Sequence, residues 1–439
     1  MKVWPARSLV ATLVVWVGAA AMAVVAPFLL PALLSSLAIL AALLVWDGWL
    51  LNRRPALVLE RTVPDRAFVG QEAEIELRLR SAARVPVRFD VLEELPRDVS
   101  PLEPSFVDVT AAPGGVTRIR YTVRPASRGD RPLGAAVLFE RSPLGLLRRR
   151  QVGEAGQLLR VYPDTSRFLM NVALNPQRML AAFGIKPSRR RGEGMDFESL
   201  RDYVPGDDPR RLDWAASARR GRPVVRLFQH ERNHTVIVAL DSSRLMAARS
   251  EGRTKLDNAI DATLCLAFAG LLAGDRIGLV VFDREIRAHL APRAHRRAIG
   301  AFTEVLRPVH PRMAEPDYAG LVRDLAVRQR QRALVVLITD FVEAESSGVA
   351  EPLSVLARRH RVLVVAIRDP IFDLLDTEDP RGGGFSLHRR LVLDDLLHER
   401  ESTLALLRQQ GVLTLDLPPS KLVAPILNHY LSIRYGADP

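Results

Sequence analysis

The pattern of apolar and polar positions divides the chain into regions with three different periodicities. Residues 8–51 carry no charged side chain except Asp47. Residues 55–163 alternate apolar and polar positions with a period of two, and residues 235–435 alternate short apolar runs with helix-like patterns. The pattern predicts a membrane-embedded helical segment, a β-rich region and an α/β region, in that order.

The first apolar segment is long enough for two membrane-spanning helices of roughly 20 residues each. We predict helices at 8–26 and 32–51, joined by a tight turn at 27–31 that contains two prolines. Trp46 and Trp49 stand where an interfacial aromatic belt is expected. The sequence therefore predicts a transmembrane α-hairpin within residues 1–54.

Basic residues flank both ends of this hairpin. Lys2 and Arg7 precede the first predicted helix, Arg53 and Arg54 follow the second, and the turn contains no basic residue. Because Lys and Arg are enriched on the cytoplasmic side of membrane spans, both ends are expected in the cytoplasm. This distribution predicts a protein of the inner (cytoplasmic) membrane whose remaining chain faces the cytoplasm.

A secretory signal peptide is the alternative interpretation of the first apolar run. A basic start, an apolar stretch and the tripeptide Ala21-Met22-Ala23 fit a cleavage site. Cleavage would leave 32–51 as a single span, and Arg53 and Arg54 would still hold the following chain in the cytoplasm. Both interpretations place the large polar part of the chain on the same side.

The region 55–165 is expected to form an immunoglobulin-like β-sandwich of about 110 residues. Its strand signal is a strict alternation of apolar residues with charged ones, and turn residues such as Pro113-Gly114-Gly115 separate the runs. The alternating apolar positions include Ala73, Ile75, Leu77, Leu79, Val85, Val87, Phe89, Val91, Ile119, Tyr121 and Val123.

The region 235–439 alternates strand and helix patterns, which indicates a mostly parallel sheet covered on both faces. Strands are predicted at 235–240, 276–282, 286–290, 333–338, 362–367 and 412–417. Helices are predicted at 255–273, 294–306, 318–331, 350–359, 396–410 and 421–431.

Composition is consistent with several folded domains and argues against nucleic acid as a partner. The chain has 439 residues, 48% of them hydrophobic and 26% charged, with a formal net charge of +12. Arginine supplies nearly all of the positive charge and is spread through every region, without the interleaved aromatic residues of nucleic-acid binders. The one cysteine, Cys265, lies in an apolar run and is expected to be buried.

A charged connector at 166–234 separates the two soluble regions. Carboxylates, arginines and aromatic residues are densely interleaved in it, and paired arginines and carboxylates give directional contacts. Its charged residues are candidates for partner binding, and the alternative is a set of ion pairs satisfied within the chain. The candidates are Asp196, Arg201, Asp207, Arg210, Asp213, Arg219 and Glu231.

The connector contains a motif that resembles the bacterial family called domain of unknown function 58. With the hairpin, the sandwich and the α/β region, the resemblance spans essentially the whole chain. It implies a membrane-bound protein with a von Willebrand factor A-like domain, often encoded beside MoxR-type AAA+ ATPases. The motif reads Gly194-x-Asp196-Phe197-x-x-Leu200-Arg201-x-Tyr203-x-x-Gly206-Asp207-Asp208-x-Arg210-x-x-Asp213-Trp214-x-Ala216-Ser217-Ala218-Arg219.

The resemblance also implies a metal-ion-dependent adhesion site that holds Mg²⁺ at the carboxyl ends of the strands. Asp241, Ser243 and Asp340 match positions of that site. Leu245 replaces its second serine, and the loop 315–317 lies where its threonine is expected. The alternative is a metal-free surface in which a fixed charge, for which Arg244 is the candidate, pairs with Asp241 or Asp340.

The run from His230 to His234 matches the His-Glu-x-x-His pattern of zinc peptidases, with Glu231 as its acid. That chemistry needs both histidines on one helical face, whereas the flanking residues predict a strand, a turn and a second strand. The zinc interpretation is therefore disfavoured.

Three functional hypotheses follow from these features. The first is a membrane-anchored protein-binding module, without enzymatic activity, that couples a AAA+ ATPase to client proteins or envelope assembly. It would bind through the strand-end surface around Asp241, Ser243 and Asp340 together with the charged connector. The second is a metal-assisted hydrolase built on the same carboxylates or on His230 and His234. The third is a structural scaffold with a vestigial metal site.

Overall fold

The chain is described by a computed structural model. It describes residues 2–25, 30–102, 106–153, 156–164, 195–204, 207, 212–230, 234–341, 347–373 and 384–434. The chain divides into two compact units, Met1–Asp164 and Thr165–Pro439.

Two apolar helices open the first unit, as the hydrophobic pattern predicts. Helix α1 spans Arg7–Val25 and helix α2 spans Leu30–Arg53, while positions 27–29 of the predicted turn lie outside the described residues. The segment Pro31–Arg53, with a mean hydropathy of 1.9, is long and apolar enough to cross a membrane. The apolar part of the first helix, Ser8–Ala20, is shorter.

The rest of the first unit is β-structure. One sheet has five strands in the order β1-β11-β10-β5-β7, a second has four in the order β2-β4-β8-β6, and a third has three in the order β3-β12-β9. The strands are β1 Lys2–Pro5, β2 Val58–Thr62, β3 Ala67–Phe68, β4 Ala73–Arg80, β5 Val87–Glu93, β6 Val99–Pro101, β7 Phe106–Ala111, β8 Val116–Pro125, β9 Gly129–Pro132, β10 Ala136–Arg141, β11 Leu147–Val152 and β12 Leu158–Tyr162.

The predicted period-two strands bury alternate residues in one core between these sheets. In β4 every second side chain from Ala73 to Leu79 is buried, and the intervening charged residues lie toward solvent. The β5 strand begins at Val87, so Val85 of the predicted strand lies before it and is exposed. Residues of β4, β5, β8, β10 and β12 share this core, which makes the first unit β-rich beyond its two helices.

The amino-terminal strand ties the start of the chain to the sheet. Strand β1 pairs antiparallel with β11, from Lys2 opposite Arg150 to Pro5 opposite Leu147. Asp47 near the end of α2 is buried, and its carboxylate accepts hydrogen bonds from the Ser142 hydroxyl and from the Leu144 N–H at 2.9 Å. The start of α1 and the end of α2 are therefore both joined to the five-stranded sheet.

The described part of the second unit begins with a two-stranded sheet and a short helix formed by the connector. Strand β13 spans Met195–Asp202 and pairs antiparallel with β14, Val224–His230. Helix α3, Trp214–Arg220, lies between them in the chain. Asp213 caps this helix by accepting a hydrogen bond from the Ala216 N–H at 3.0 Å, and Gly221 ends it in the left-handed conformation, with φ of 65°.

The remainder of the second unit is a six-stranded sheet with helices on both faces, as predicted. The strand order is β19-β18-β15-β20-β21-β22, and β19 is its antiparallel edge. Its strands are β15 Thr235–Asp241, β18 Arg276–Phe282, β19 Ile286–Arg293, β20 Leu334–Thr339, β21 Arg361–Ile367 and β22 Leu413–Leu417, and a small ribbon pairs β16 Arg249–Ser250 with β17 Arg253–Thr254. Its helices are α4 Lys255–Leu272, α5 Ala298–Leu306, α6 Tyr318–Arg328, α7 Ser347–Arg359, α8 Gly384–Gln409 and α9 Val423–Arg434.

Successive residues of each central strand enter opposite cores. Val236, Val238 and Leu240 of β15 pack in one core, whereas Ile237 and Ala239 pack in the other. This double burial explains the continuous apolar runs in the sequence. Because β18 and β20 flank β15 on opposite sides, the connections diverge at the carboxyl end of β15, where ligands bind in doubly wound folds.

Candidate functional site

Polar side chains converge where β15 and β20 end. Asp241 closes β15, and its carboxylate accepts a hydrogen bond from the Thr339 hydroxyl at 2.6 Å and from the Ser243 N–H at 2.7 Å. Tyr318 lies 2.9 Å from Thr339 and donates to that hydroxyl, whose own proton points to Asp241. Burial raises the pKa of Asp241 to about 6, against the lowering effect of the Thr339 and Ser243 hydrogen bonds.

The neighbouring carboxylate, Asp340, is held by two buried cations. Lys255 Nζ lies 2.6 Å from one oxygen of Asp340, and a terminal nitrogen of Arg400 lies 2.6 Å from the other. The Phe341 N–H donates to the second oxygen at 2.7 Å. Both oxygens of Asp340 are thus occupied by strong, charge-assisted contacts.

Two further carboxylates complete the cluster around these cations. Asp369, after β21, lies 2.7 Å from Lys255 Nζ, and Asp416 of β22 lies 2.8 Å from Arg400. Burial alone would raise the pKa of Asp369, but the hydrogen bond and charge of Lys255 hold it below its usual range. We call Asp241, Thr339, Asp340, Lys255, Asp369, Arg400 and Asp416 the strand-end cluster.

The centre of the strand-end cluster is buried, whereas the side chains of its outer carboxylates, Asp369 and Asp416, are 27% and 23% exposed. Asp241, Ser243 and Asp340 have no solvent exposure, and Lys255 is 1% exposed. The expectation that these three residues form a partner-binding surface is therefore wrong for the conformation described. Their location at the carboxyl ends of adjacent parallel strands agrees with the prediction, but the helices and the two basic side chains cover them.

The residues at the cluster do not fit a Mg²⁺ ion. Mg²⁺ needs several free oxygen ligands in near-octahedral geometry, whereas each carboxylate oxygen of Asp241 and Asp340 already accepts a hydrogen bond. Lys255 and Arg400 also place two positive charges where a cation would stand. The Ser243 Oγ is buried beside Asp241 without a well-aligned hydrogen bond. Within the described residues, no group of three or more His, Cys, Asp or Glu side chains is placed to hold a metal.

The sequence suggests Arg244 as the fixed positive charge at this site, but Lys255 and Arg400 supply it. Arg244 pairs with Glu315 of the 315–317 loop, whereas Lys255 and Arg400 pair with Asp340. That loop does lie beside the end of β15, because the Arg244 N–H donates to the Ala314 carbonyl at 3.1 Å. The threonine at the cluster is Thr339, from the end of β20, and not a residue of the loop.

Sequence reasoning missed Lys255 and Arg400. Lys255 begins a buried helix directly after the Thr254 cap, where a positive charge is unfavourable to the helix dipole. A lysine there, in a chain with four lysines, is a signal that a carboxylate lies nearby. Arg400 stands in a charged stretch of α8 and offers no comparable signal, because its partners come from β20 and β22, which are distant in sequence.

Three candidate binding residues of the connector, Arg201, Asp207 and Asp213, make contacts within the connector. Arg201 pairs with Asp207 through both carboxylate oxygens, at 2.9 and 3.0 Å, and Asp213 caps α3. Arg219 is exposed on α3. Asp196 has its backbone in β13, opposite Gln229, whereas Arg210 and Glu231 lie outside the described residues. Ion pairs within the connector thus account for Arg201 and Asp207.

An apolar groove lies beside this helix. It has a volume of about 360 Å³ and is bordered by Tyr203, Leu212, Trp214 and Pro223. Trp214 is 75% exposed, although a tryptophan usually buries most of its surface. Trp214 belongs to the connector motif but is not among the residues predicted to bind a partner.

The histidines of the zinc-like motif lie in the context predicted for them. His230 ends β14, and Thr235 begins β15 four residues after Glu231, so the segment connects two strands and is not helical at either described end. Residues 231–233 lie outside the described part of the chain. The backbone on both sides does not provide the helical face that this zinc chemistry requires.

Curated relatives match part of the chain. Uncharacterized proteins of Mycobacterium tuberculosis and Mycobacterium bovis are 28% identical to it over 181 residues, which is 41% of this chain. The matched segment spans 56% of the length of those relatives.

Two solved structures show limited similarity. One is the conserved hypothetical protein BatB from Bacteroides thetaiotaomicron, with 16% identity, a TM-score of 0.34, and coverage of 46% of this chain and 100% of that one. The other is proximal thread matrix protein 1 from the mussel byssus, with 16% identity, a TM-score of 0.30, and coverage of 47% and 48%. At these scores neither structure supports an argument about this chain.

The family comparison agrees with the motif in the connector. A family described as "Protein of unknown function DUF58" matches residues 199–388, which begin in β13 and end within α8. The match includes Trp214, Asp241, Lys255 and Asp340, but not Arg400. Residues 199–388, within the second unit, are therefore similar to the DUF58 family.

Proposed function

We propose that this protein is a membrane-anchored protein-interaction module without enzymatic activity. The observation that carries the proposal is the exposure of Trp214 on the rim of an apolar groove. Exposed aromatic residues next to arginines are typical centres of protein–protein interfaces. Arg219 and Arg220 are exposed on the same short helix. These features favour a partner with an apolar pocket surrounded by carboxylates.

The proposed partner is a AAA+ ATPase of the MoxR type, with client proteins or envelope assembly as the process served. This choice rests on the resemblance of the motif to its family.

The C-terminal region is proposed to be a von Willebrand factor A-like domain, and its strand order with an antiparallel edge supports that interpretation. In this proposal the strand-end cluster has a structural role, because its cations replace the metal of an adhesion-type site.

The hairpin is proposed to anchor the protein in the inner membrane, with both soluble regions in the cytoplasm. Two observations support retention of the first helix. Strand β1 precedes α1 and pairs with β11, and the Ser8 hydroxyl donates to the Gly145 carbonyl. These contacts join the start of α1 to the five-stranded sheet, and Asp47 near the end of α2 accepts from the Ser142 hydroxyl beside the same sheet.

A pulldown of the full-length protein from detergent-solubilised membranes tests the interaction. We expect the wild type to recover a AAA+ ATPase, with Trp214→Ala weakening the complex about 30-fold, as for loss of a central aromatic contact. Met313→Ala is the matched control, since Met313 is 88% exposed in the same unit but outside the groove. Recovery of no ATPase, or equal recovery by W214A and wild type, contradicts the proposal.

The orientation is tested with an introduced thiol. Cys265, the one cysteine of the chain, is buried, so Arg219→Cys supplies an exposed labelling site. We expect a membrane-impermeant maleimide to label R219C after cell lysis but not in intact spheroplasts, with the unmodified chain as the background control. Labelling of intact spheroplasts would place the soluble regions outside the cytoplasm.

A further inference from the structure

A basic cavity lies where the first helix joins the five-stranded sheet. It has a volume of about 940 Å³ and is lined by Ser8 of α1, by Arg54 after α2, and by residues of β5, β10 and β11. Four of the lining residues are arginines, namely Arg54, Arg88, Arg141 and Arg148, and one, Asp90, is acidic. The cavity therefore carries an excess of positive charge.

The arginines of this cavity are only partly neutralised by the protein. Asp90 lies 2.8 Å from Arg141 and 3.2 Å from Arg148, and Asp108 lies 3.1 Å from Arg141. Arg88 makes no ion pair with any residue that the structure describes. The Nε atoms of Arg141 and Arg148 are buried without a hydrogen-bond partner among the described residues. Buried donors of this kind are costly unless a ligand or water accepts from them.

The sheet register brings two of these like charges together. Arg141 of β10 and Arg148 of β11 stand directly opposite each other in the antiparallel ladder. Like charges in that relation are destabilising, and the Asp90 carboxylate bridges the two guanidinium groups. Asp90 and Asp108 supply two negative charges to Arg141 and Arg148, and Glu140 lies 3.9 Å from Arg54. Arg88 has no such partner among the described residues, so the site can accept another negative charge.

The position of the cavity identifies the class of anion. The Ser8 hydroxyl donates to the Gly145 carbonyl, and Asp47 of α2 accepts from the Leu144 N–H, so the turn between β10 and β11 lies against both apolar helices. Leu144 in that turn is 50% exposed. Trp46 and Trp49 stack nearby in α2, with ring centroids 5.4 Å apart, and the Arg53 guanidinium lies 3.8 Å from the Trp49 ring centroid. Such residues are typical of the membrane–water interface.

We propose that this cavity binds the phosphate of an anionic phospholipid headgroup from the adjacent leaflet. Arg88, Arg141 and Arg148 provide donors for the phosphate oxygens, and Leu144 lies where an acyl chain begins. Arginine forks suit phosphate, and basic pockets beside membrane helices bind anionic headgroups. The proposal rests on the hairpin being a membrane anchor, which is tested separately by membrane fractionation of the same variants.

Native mass spectrometry of the full-length protein in detergent tests this site. Phosphatidylglycerol and phosphatidylcholine are added in equal amounts, and retention of each is measured for the wild type, R88Q, R88Q/R148Q and R80Q/R118Q. The last variant is the matched control, since it removes two exposed arginines from β4 and β8 of the other sheet. Arg88→Gln is the safest single change for the fold, because Arg88 makes no ion pair with a described residue.

We expect the wild type to retain phosphatidylglycerol over phosphatidylcholine, with the preference falling about fivefold for each cavity arginine removed. The control variant keeps the preference of the wild type. Equal retention of the two lipids by the wild type, or an unchanged preference in R88Q/R148Q, overturns the proposal. Displacement of the lipid by millimolar inorganic phosphate would instead assign the cavity to a free anion and also overturn it. If a variant stays in the membrane fraction but loses the lipid preference, the lipid site fails while the membrane anchor is intact, so the two proposals are tested independently.

Discussion

The ammonium group of Lys255 lies 2.6 Å from a carboxylate oxygen of Asp340, and neither side chain is accessible to solvent beyond 1%. Arg400 holds the second oxygen of Asp340 at the same distance. The carboxylate that resembles a metal ligand in the sequence is thus neutralised by side chains of its own domain. These ion pairs give the strand-end cluster a structural role, because they join two helices to the end of β20.

Replacing Lys255 by Met should destabilise the protein by about 3–5 kcal/mol, because it removes one partner of a buried ion pair. Asp369 would lose its contact with the same ammonium group. The free energy of unfolding of the full-length protein in detergent, from denaturant titration, measures this. Arg328→Met is the control, since its pair with Asp324 is exposed and is worth about 1 kcal/mol or less. Equal losses of unfolding free energy in the two variants would contradict a larger stabilisation by the buried pair.

Asp241 should make stability depend on pH in the acidic range. Its pKa is raised by burial from 3.8 to about 6, so the folded state binds its proton more tightly than the unfolded state. The stabilisation from that proton is present below about pH 4 and is lost as the pH rises to about 6. The loss amounts to about 3 kcal/mol.

Asp241→Asn removes this titration while keeping the shape of the side chain. From pH 4 to pH 7, the unfolding free energy of the wild type should therefore fall by about 3 kcal/mol relative to that of D241N. Denaturant titrations at several pH values measure it. A difference that stays constant over this range would contradict the raised pKa.

Asp47→Ala should loosen the junction between α2 and the sheet. The carboxylate accepts from the Ser142 hydroxyl and from the N–H groups of Leu144 and Leu146, and its loss leaves these donors unpaired at a cost of about 1–3 kcal/mol. Limited proteolysis in detergent should show faster cleavage in the 142–146 turn. Asp65→Ala, on an exposed loop of the same unit, is the control and should cleave like the wild type.

The mature protein should retain its first helix. Cleavage after Ala23 would remove β1, which forms four residue pairs with β11, and would expose that edge of the five-stranded sheet. Intact-mass measurement of protein purified from membranes should give a chain that still contains residues 2–5. A mass that corresponds to a start at residue 24 would support the signal-peptide interpretation instead.

Periodicity in the sequence was sufficient to predict much of the fold. The strands of the α/β region begin and end within a few residues of their predicted positions, because continuous apolar runs mark strands that are buried on both faces. Helix α8 begins at Gly384, twelve residues before its predicted start at 396. The pairing of β1 with β11 could not be predicted either, because four residues before an apolar helix carry no strand signal.

The sequence predicted where the candidate site lies, but not that buried cations neutralise its carboxylates. Asp241 and Asp340 follow apolar strands, and parallel strands bring their carboxyl ends together. The cations that neutralise the cluster depend on side chains that become neighbours only when α4 and α8 pack on the sheet. Exposure of Trp214 is likewise a property of the folded connector, because a tryptophan in the sequence is expected to be largely buried.

The central claim, that Lys255 and Arg400 take the place of a metal, is tested most directly by thermal unfolding of the full-length protein in millimolar Mg²⁺ and in EDTA. A bound ion that recognises the folded state raises the unfolding midpoint according to its affinity. We predict the same midpoint in both conditions for the wild type. A higher midpoint in Mg²⁺ that disappears in D340A would contradict the claim.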